Sequence, residues 1–569
     1  MNSMSGMSDA NASSHSFTRR DFIKSSLVSS VATTALGVTG EAQAAASNAN
    51  AEHPSSITVT RAAPSAPLQK PWKNAIAVDV PLLLQREDLQ DHLATLQRAI
   101  GYRYCRTYGF FQDEMAIVGR RSDGKLAFRW AQVDKVLDAL QRLHLRPFVN
   151  LSPMPVRLAS GTKTVFDWKL NISPPKDYSE WSALVGAFAR HCADRYGLEE
   201  IAQWYFEVWN EPNIADFWPG SREDYWRLYD ISATALKAVS PRLRVGGPVT
   251  ARGAWIPEFI SHCFTEGVPV DFISTHIYPQ DEYAEYPGLQ SSPYKPGRFV
   301  PDIVRSVRKS VRESALPNLE IHWTEWDCLM PLPDGTIAWN HNPSLDNASG
   351  GATVCDLAIA VDEDCETFGW WTASDLLGED GMPQSEFSGT YGLLTLNGLP
   401  KATFNAFCFL NRLRGGRLEL QHEDLGPGRG LVATSEGVSL QILLWHRSLP
   451  RIEEQGVWEG AVVIPWSEST KPVLIQERII AGAGSCYETW QSLGTPQNLS
   501  LAEHRLLRAH AIPEARLFRP NVQRKLVSHS FRLAPGDVVY LELRPQGVVP
   551  LPNESVRQEL ARCAATTSS

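Results

Sequence analysis

Residues 204–213 read Trp-Tyr-Phe-Glu-Val-Trp-Asn-Glu-Pro-Asn. Residues 204–209 are apolar or aromatic apart from Glu207, which is typical of a strand that is covered on both faces. Pro212 disfavours helical angles at the residue before it, so the pattern predicts that Glu211 is extended at the carboxyl end of this strand. In a (β/α)₈ barrel, that end of each strand is the face at which the chemistry takes place.

A second segment of the same design, residues 319–327, reads Leu-Glu-Ile-His-Trp-Thr-Glu-Trp-Asp. Alternation with a period of two predicts that four residues share one face of a strand: Leu319, Ile321, Trp323 and Glu325. Glu325 therefore closes an apolar strand, as Glu211 does. Glycoside hydrolysis needs two such groups, a neutral acid that protonates the leaving oxygen and an ionised carboxylate on the opposite face of the sugar. The pair predicts a glycosidase.

Apolar and amphipathic segments alternate between residues 73 and 407. The apolar segments predict eight strands: Ala75–Val80, Tyr102–Tyr108, Leu145–Leu151, Trp204–Asn210, Leu243–Gly247, Asp271–His276, Leu319–Glu325 and Thr367–Thr372. The amphipathic segments predict seven helices: Glu87–Ile100, Gln132–Leu143, Ser179–Arg195, Arg222–Val239, Trp255–Glu266, Asp302–Ser314 and Asn347–Glu363. This alternation favours an α/β fold, specifically a (β/α)₈ (TIM) barrel. Glu211 and Glu325 then close strands 4 and 7.

The pattern changes beyond residue 408, where short alternating segments are separated by Gly, Pro and Ser. Such spacing is typical of a β-sandwich, and the clearest segments are Gly437–Trp445, Gly460–Ile464, Val473–Ile480 and Val538–Leu543. We predict an accessory C-terminal β-sandwich over residues 408–550 and a tail over residues 551–569. Residues 47–72, rich in Ala, Ser and Pro, predict a linker in which residues 57–60 are a candidate strand of the sandwich.

Several motifs resemble those of glycoside hydrolase family 39 in order and spacing. Val208-Trp-Asn-Glu-Pro-Asn213 and His322-Trp-Thr-Glu325 resemble the acid/base and nucleophile motifs of that family. Four further segments resemble its β-xylosidases: Arg146-Pro-Phe-Val-Asn150, Leu158-Ala-Ser-Gly-Thr-Lys-Thr-Val-Phe166, Pro174-Pro-Lys-Asp-Tyr178 and Val245-Gly-Gly-Pro248. The resemblance covers residues 75–410 and is weaker beyond them. It implies a barrel packed beside a β-sandwich and a retaining glycosidase.

The resemblance also implies roles for polar groups at the strand ends. Glu211 would be the acid/base and Glu325 the nucleophile of a retaining enzyme, in which the two carboxyl groups lie roughly 5–5.5 Å apart. Asn210 would hydrogen-bond the sugar 2-hydroxyl, a contact that strengthens in the transition state. The other sugar-site residues that it implies are His276, Tyr278 as a donor to the nucleophile, Trp371 as a stacking platform, and Glu379 as a carboxylate for sugar hydroxyls.

Two further residues are predicted from alternation alone. Arg106 and Glu207 should both point into the barrel, and a buried carboxylate needs a partner, so we predict that Arg106 pairs with Glu207 beneath the two catalytic groups. One position departs from the family pattern. Where β-xylosidases of the family have Arg-x-His-Gly, this chain has Arg106-Thr-Tyr-Gly109, so Tyr108 is expected to line the sugar subsite and to alter the glycone preference.

The first 46 residues predict an export signal. Thr18-Arg-Arg-Asp-Phe-Ile-Lys24 resembles a twin-arginine motif, an apolar stretch follows from Leu27 to Val38, and Ala42-Gln-Ala44 offers a cleavage site. The apolar stretch is too short for a permanent membrane span. We therefore expect the precursor to use the twin-arginine export machinery and the mature protein to be periplasmic or secreted.

The composition narrows the possible functions. A chain of 569 residues with 43% hydrophobic and 21% charged residues suits a large enzyme domain with an accessory one. A net charge of −9 offers no basic face for nucleic acid. The nine cysteines have no zinc-type spacing and are expected to be reduced, so no metal and no cofactor are predicted.

The leading interpretation is an exported retaining exo-glycosidase that acts on a glycoside or oligosaccharide substrate, most readily a β-xylosidase. Three alternatives remain open: specificity for a uronic-acid sugar, as in α-L-iduronidases, specificity for an exopolysaccharide linkage, and a carbohydrate-binding protein without activity. A uronidase needs cationic or backbone donors for the sugar carboxylate, and the segments around the strand ends contain no cluster of Lys or Arg. The oligomeric state is not predicted.

Overall fold

A computed structural model describes residues 55–60, 65–282, 297–331, 342–449, 455–466 and 470–547. The predicted signal over residues 1–46 and the predicted tail over residues 551–569 lie outside these ranges. Within them, no helix has both the length and the apolar character that crossing a bilayer requires.

Eight parallel strands form a closed barrel, which confirms the predicted fold class. Numbered in chain order, the barrel strands are Ala75–Ala77, Tyr104–Thr107, Arg146–Leu151, Tyr205–Val208, Arg244–Ala251, Phe272–His276, Glu320–Glu325 and Thr367–Phe368. The ring closes between its first and last strands, where the Ala77 N–H donates to the Trp370 carbonyl over 3.0 Å. The predicted eighth strand, residues 367–372, is therefore shorter than expected, but residue 370 still completes the barrel.

Helices connect the barrel strands: Glu87–Ala99, Ala131–Arg142, Tyr178–Tyr196, Leu198–Ile201, Arg222–Val239, Ile256–Glu266, Phe299–Arg312, Ala348–Ala360 and Ala402–Arg412. Short 3₁₀ turns lie at Pro71–Lys73, Pro81–Gln85, Asp113–Met115, Pro279–Glu282 and Pro343–Leu345. Two small hairpins extend the loops after strands 2 and 3: Val118–Arg120 with Leu126–Phe128, and Thr164–Val165 with Leu170–Asn171.

The amino-terminal end of the barrel is filled with side chains. Ala75, Tyr104, Phe148, Tyr205 and Phe272 form a buried layer there. Their rings pack edge-on and stacked, for example Tyr104 against Tyr205 with centroids 5.1 Å apart. Because this layer fills the amino-terminal end of the barrel, the polar inward-facing residues lie nearer the carboxyl ends of the strands.

Two sheets beyond the barrel form the sandwich. In spatial order, the four-stranded sheet contains Glu419–Gln421, Ser55–Thr60, Trp458–Pro465 and Leu526–Leu533. The second sheet contains Gly416–Arg417, Arg429–Glu436, Ser439–His446, Val538–Pro545, Pro472–Ala481 and Gly484–Ser485, and Glu514–Phe518 also pairs with Pro472–Ala481. Helices Tyr487–Ser492 and Leu501–His510 are inserted between its strands. The candidate strand 57–60 is thus part of Ser55–Thr60, inside the sandwich.

The change from barrel to sandwich falls later than the predicted boundary at residue 408. Helix Ala402–Arg412 spans that boundary and buries Phe404, Phe407 and Leu410 in the same core as the barrel. Its apolar residues recur with helical spacing, which indicates a helix. The predicted boundary falls too early because the strand-rich pattern begins directly after this helix. The helix also joins the two parts, because Arg412 pairs with Glu477 of the second sheet over 2.9 Å.

Candidate active site

Glu211 lies on a tight turn that follows barrel strand 4. Its backbone φ is 45° and that of Trp209 is 71°, so both residues are left-handed and the predicted extended conformation of Glu211 is wrong. Tertiary hydrogen bonds override the local preference that Pro212 imposes. The Glu211 N–H donates to the Val249 carbonyl over 2.9 Å, and the Asn150 side-chain amide donates to the Trp209 carbonyl. A left-handed non-glycine residue costs about 1–3 kcal/mol, and such strain clusters at functional sites.

Glu325 reaches the barrel interior because strand 7 contains a bulge. Thr275 of strand 6 pairs with Trp323, whereas the next residue, His276, pairs with Glu325, so Thr324 is an extra residue. The predicted shared face of Trp323 and Glu325 is therefore wrong, since an extra residue reverses the side-chain alternation after it. Thr324 points inward, with its hydroxyl 3.4 Å from a Glu207 oxygen, and Glu325 follows on the same side.

The Arg106 guanidinium lies at the centre of the polar groups. It donates from Nε to Glu207 over 2.6 Å, from one terminal nitrogen to Glu325, and from the other to the Asn210 side-chain oxygen over 2.7 Å. Arg106 and Glu207 are both fully buried. Burial acts to lower the pKa of Arg106, but the carboxylates of Glu207 and Glu325 outweigh it and raise the pKa above its usual value. The guanidinium therefore remains charged.

The carboxyl groups of Glu211 and Glu325 lie close together beside His276. One ligand atom from each of the three residues lies within 4.8 Å of the others. His276 Nδ1 is 3.0 Å from Glu211 Oε1 and 3.4 Å from Glu325 Oε2, and the Tyr278 hydroxyl donates to Glu325 Oε2. A closest approach of carboxyl oxygens within 4.8 Å is compatible with the roughly 5–5.5 Å separation of retaining glycosidases and not with the 6.5–9.5 Å of inverting ones.

The same three residues are of types that bind metal ions, so this possibility needs weighing. Both oxygens of Glu325 already accept hydrogen bonds, one from Arg106 and the other from Tyr278. A divalent ion bound here would lie next to the positive charge of Arg106 and would be repelled by it. The donor set therefore favours acid–base chemistry over metal binding.

Tyr108, Trp371 and Glu379 form a second group on the side of the barrel where strands 1, 2 and 8 meet. The Tyr108 ring stacks on Trp371 with centroids 5.6 Å apart and planes at 29°. The Tyr108 hydroxyl lies 2.9 Å from a carboxylate oxygen of Glu379. The structure thus places the residue that departs from the family pattern against the predicted sugar platform and the predicted sugar-binding carboxylate.

The sequence analysis did not assign a role to four side chains that contact this site. Asn150 donates to Glu207 over 2.9 Å, Thr324 approaches the other oxygen of Glu207, Asp79 contacts the Tyr108 hydroxyl, and Trp168 donates to Asp79. Asp79 gave the same signal as the two glutamates, a carboxylate near the end of an apolar strand. Asn150 and Trp168 carry no such signal, because their roles depend on partners more than 50 residues away.

A TIM barrel with two adjacent carboxyl groups at the carboxyl ends of strands 4 and 7 defines a glycoside hydrolase. Comparison with known proteins shows to which glycoside hydrolase family the chain belongs. The chain belongs to glycosyl hydrolases family 39, whose family model matches residues 55–525.

Relatives of known activity match most of the chain. It is 33% identical over 482 residues to a beta-xylosidase of Caldicellulosiruptor saccharolyticus, and this match covers 84% of this chain and 96% of the relative. It is 35% identical over 442 residues to a beta-xylosidase of Geobacillus stearothermophilus, covering 75% of this chain and 84% of the relative. Among solved structures, the family 39 enzyme of Xanthomonas axonopodis pv. citri has a TM-score of 0.76 at 29% identity, and the match covers 87% of this chain and 98% of that one.

The buried pair of Arg106 and Glu207 yields a prediction for Glu207→Gln. Loss of one carboxylate leaves Arg106 free to shift relative to Glu325 and Asn210, so we expect kcat to fall about tenfold or more, in line with the 1.5–3 kcal/mol of a hydrogen bond to a charged group. Glu200→Gln is the matched control, because Glu200 pairs with Arg146 over 3.1 Å at the opposite end of the barrel. Initial rates and Tm should be measured for both variants. A lower Tm with wild-type kcat for Glu207→Gln would contradict a positioning role.

Proposed function

We propose that the protein is a retaining exo-β-xylosidase that releases xylose from 1,4-β-xylo-oligosaccharides. The observation that carries the proposal is the close approach of Glu211 and Glu325, within 4.8 Å, next to a buried Arg106 that contacts Glu325 directly. The choice of xylose is supported by two β-xylosidase relatives that match most of the chain.

In this proposal, Glu325 is the nucleophile. Arg106 and Tyr278 each donate to one of its oxygens, which holds the carboxyl group in place. Its carboxylate would attack the anomeric carbon and form a covalent glycosyl-enzyme. Glu211 would protonate the leaving oxygen in this first step and then, as a carboxylate, accept a proton from the water that releases the sugar.

Asn210, His276 and the group around Tyr108 would then bind the glycone. Arg106 fixes the Asn210 side-chain oxygen over 2.7 Å, so the amide N–H₂ of Asn210 is left to face the sugar 2-hydroxyl. His276 would hold the acid/base through its 3.0 Å contact with Glu211. Trp371 would stack on the sugar, and Glu379 would accept hydrogen bonds from sugar hydroxyls.

The charge of this subsite favours a neutral sugar over a uronic acid. Tyr108 carries carboxyl groups on both sides, with Asp79 at 2.8 Å and Glu379 at 2.9 Å. A sugar carboxylate placed near the Glu379 carboxylate would be repelled, and juxtaposed like charges cost several kcal/mol. This observation weighs against the uronidase alternative.

A set of 4-nitrophenyl β-glycosides that differ only at C5 tests the specificity. The xyloside carries hydrogen there, the glucoside a hydroxymethyl group and the glucuronide a carboxylate. We expect kcat/KM to be highest for the xyloside and at least about 100-fold lower for the glucuronide, because of like-charge repulsion. The glucoside separates the effect of size from that of charge. A glucuronide hydrolysed as fast as the xyloside would contradict the proposal.

The stereochemistry of wild-type and mutant reactions tests the roles of the glutamates. Proton NMR should show that the first product of the wild-type reaction retains the β configuration. Glu325→Ala should abolish turnover, and azide entering the vacated face should give the inverted glycosyl azide. Glu211→Ala should still be glycosylated by substrates whose leaving group needs no proton, and azide should then trap the intermediate with retention. An inverted first product from the wild-type enzyme would exclude both assignments.

We also propose that the precursor is exported by the twin-arginine machinery to the periplasm or beyond. The support is the motif Thr18-Arg-Arg-Asp-Phe-Ile-Lys24 with the apolar stretch and the Ala42-Gln-Ala44 site after it. Replacing Arg19 and Arg20 together with Lys should keep the full-length precursor in the cytoplasm. Fractionation of cells that express each form tests this, and normal periplasmic recovery of the double variant would contradict it.

A further inference from the structure

The Tyr108 hydroxyl bridges two carboxyl groups with a single proton. It lies 2.8 Å from Asp79 Oδ1 and 2.9 Å from Glu379 Oε1. Burial, and then the neighbouring Asp79 and Glu379, raise the pKa of Tyr108 far above its usual value, so the hydroxyl keeps its proton. A hydroxyl can donate to only one of two acceptors at a time. For both contacts to be hydrogen bonds, one of the two carboxyl groups must itself be protonated.

The surroundings of Asp79 and Glu379 decide which group carries that proton. Asp79 is 1% exposed and has no ion-pair partner among the described residues, whereas Glu379 is only half-buried and lines a cavity of 460 Å³. A charge without a counter-ion is more costly in the more buried position. Burial has the largest effect and raises the pKa of Asp79, against hydrogen bonds from the Gly378 and Val80 N–H groups and from Tyr108 and Trp168 that act to lower it.

The contacts of Asp79 Oδ2 are compatible with a neutral acid. Its Oδ2 accepts from the Trp168 indole N–H over 2.9 Å and from the Gly378 N–H over 2.7 Å, so Oδ2 is the carbonyl oxygen and Oδ1 carries the proton. Trp168 is held closely against the backbone there. A Cβ on residue 378 would lie 2.4 Å from Trp168 Cζ2, and the glycine is what permits the approach.

We infer that Asp79 is a neutral carboxylic acid that positions the glycone-binding groups through a directed chain of hydrogen bonds. Asp79 Oδ1–H donates to the Tyr108 oxygen, and Tyr108 O–H donates to Glu379. Glu379 therefore stays ionised, and a glycone hydroxyl binds to it as a donor. The inference rests on the proposed function only for the identity of that sugar, and Asp79 itself is a positioning residue.

Asp79→Asn and Asp79→Ala separate a neutral acid from an ionised one. An asparagine reproduces the neutral acid, because its amide N–H₂ donates to Tyr108 and its oxygen accepts from Trp168 and Gly378. We expect kcat/KM on 4-nitrophenyl β-xyloside to fall about threefold for Asp79→Asn and about thirtyfold for Asp79→Ala, which loses the chain. If Asp79 were an ionised acceptor of the Tyr108 proton, the asparagine N–H₂ would oppose Tyr108 in one orientation and both Trp168 and Gly378 in the other, and its loss would equal that of alanine. That result would overturn the inference.

Infrared spectroscopy of the full-length enzyme gives a readout that does not depend on activity. We expect a carbonyl band of a protonated carboxylic acid that shifts when aspartate carries carbon-13 in its carboxyl group and that is lost in Asp79→Asn. A band lost in that variant but shifted only by labelled glutamate would place the proton on Glu379 and overturn the inference, as would the absence of any difference. If the band behaves as expected but the wild-type enzyme does not hydrolyse the xyloside, the proposed function fails and the state of Asp79 stands.

Discussion

The contacts of one buried guanidinium determine the geometry of the whole site. Arg106 comes from strand 2, and its acceptors come from strand 4 and from strand 7 across the barrel. A buried cation without partners costs several kcal/mol. The fold therefore requires that the acceptors from strands 4 and 7 lie within hydrogen-bond distance of Arg106. The planar fork of an arginine can satisfy separated acceptors in fixed directions, which a lysine ammonium cannot. The aromatic layer at the amino-terminal end of the barrel packs behind this arrangement.

The parts of the fold that depend on repeated local patterns could be predicted from the sequence. Eight apolar segments separated by amphipathic ones are enough for the barrel, and the pairing of Arg106 with Glu207 follows from inward alternation plus the need to compensate a buried charge. The backbone at Glu211 and the bulge at Thr324 could not be predicted this way. Both depend on tertiary partners, Val249 and the register of strand 6, which override the local preferences of Pro212 and of strand alternation.

The same reasoning explains why the side of the site around Tyr108 was only partly predicted. The sequence shows that Tyr108 departs from the family pattern, but not that its hydroxyl contacts Asp79, which lies just after strand 1. Glu379 and Tyr108 are 271 positions apart, and Asp79 and Gly378 are 299 apart. The closure of the barrel brings strand 8 beside strand 1. Residues from the two ends of the barrel sequence therefore come into contact, but no local sequence pattern predicts which of them do.

Strand Ser55–Thr60 lies between Glu419–Gln421 and Trp458–Pro465, two strands encoded after the entire barrel. The barrel sequence is therefore an insertion within the sandwich. On a ribosome, that sheet lacks its partners until nearly the whole chain has emerged, and contacts of such long sequence separation form late and slowly. Removal of either flank would expose unpaired strand edges, which are prone to aggregate. A barrel expressed by itself is therefore expected to aggregate, and the sandwich is complete only after its last strand, Val538–Pro545, has been synthesised.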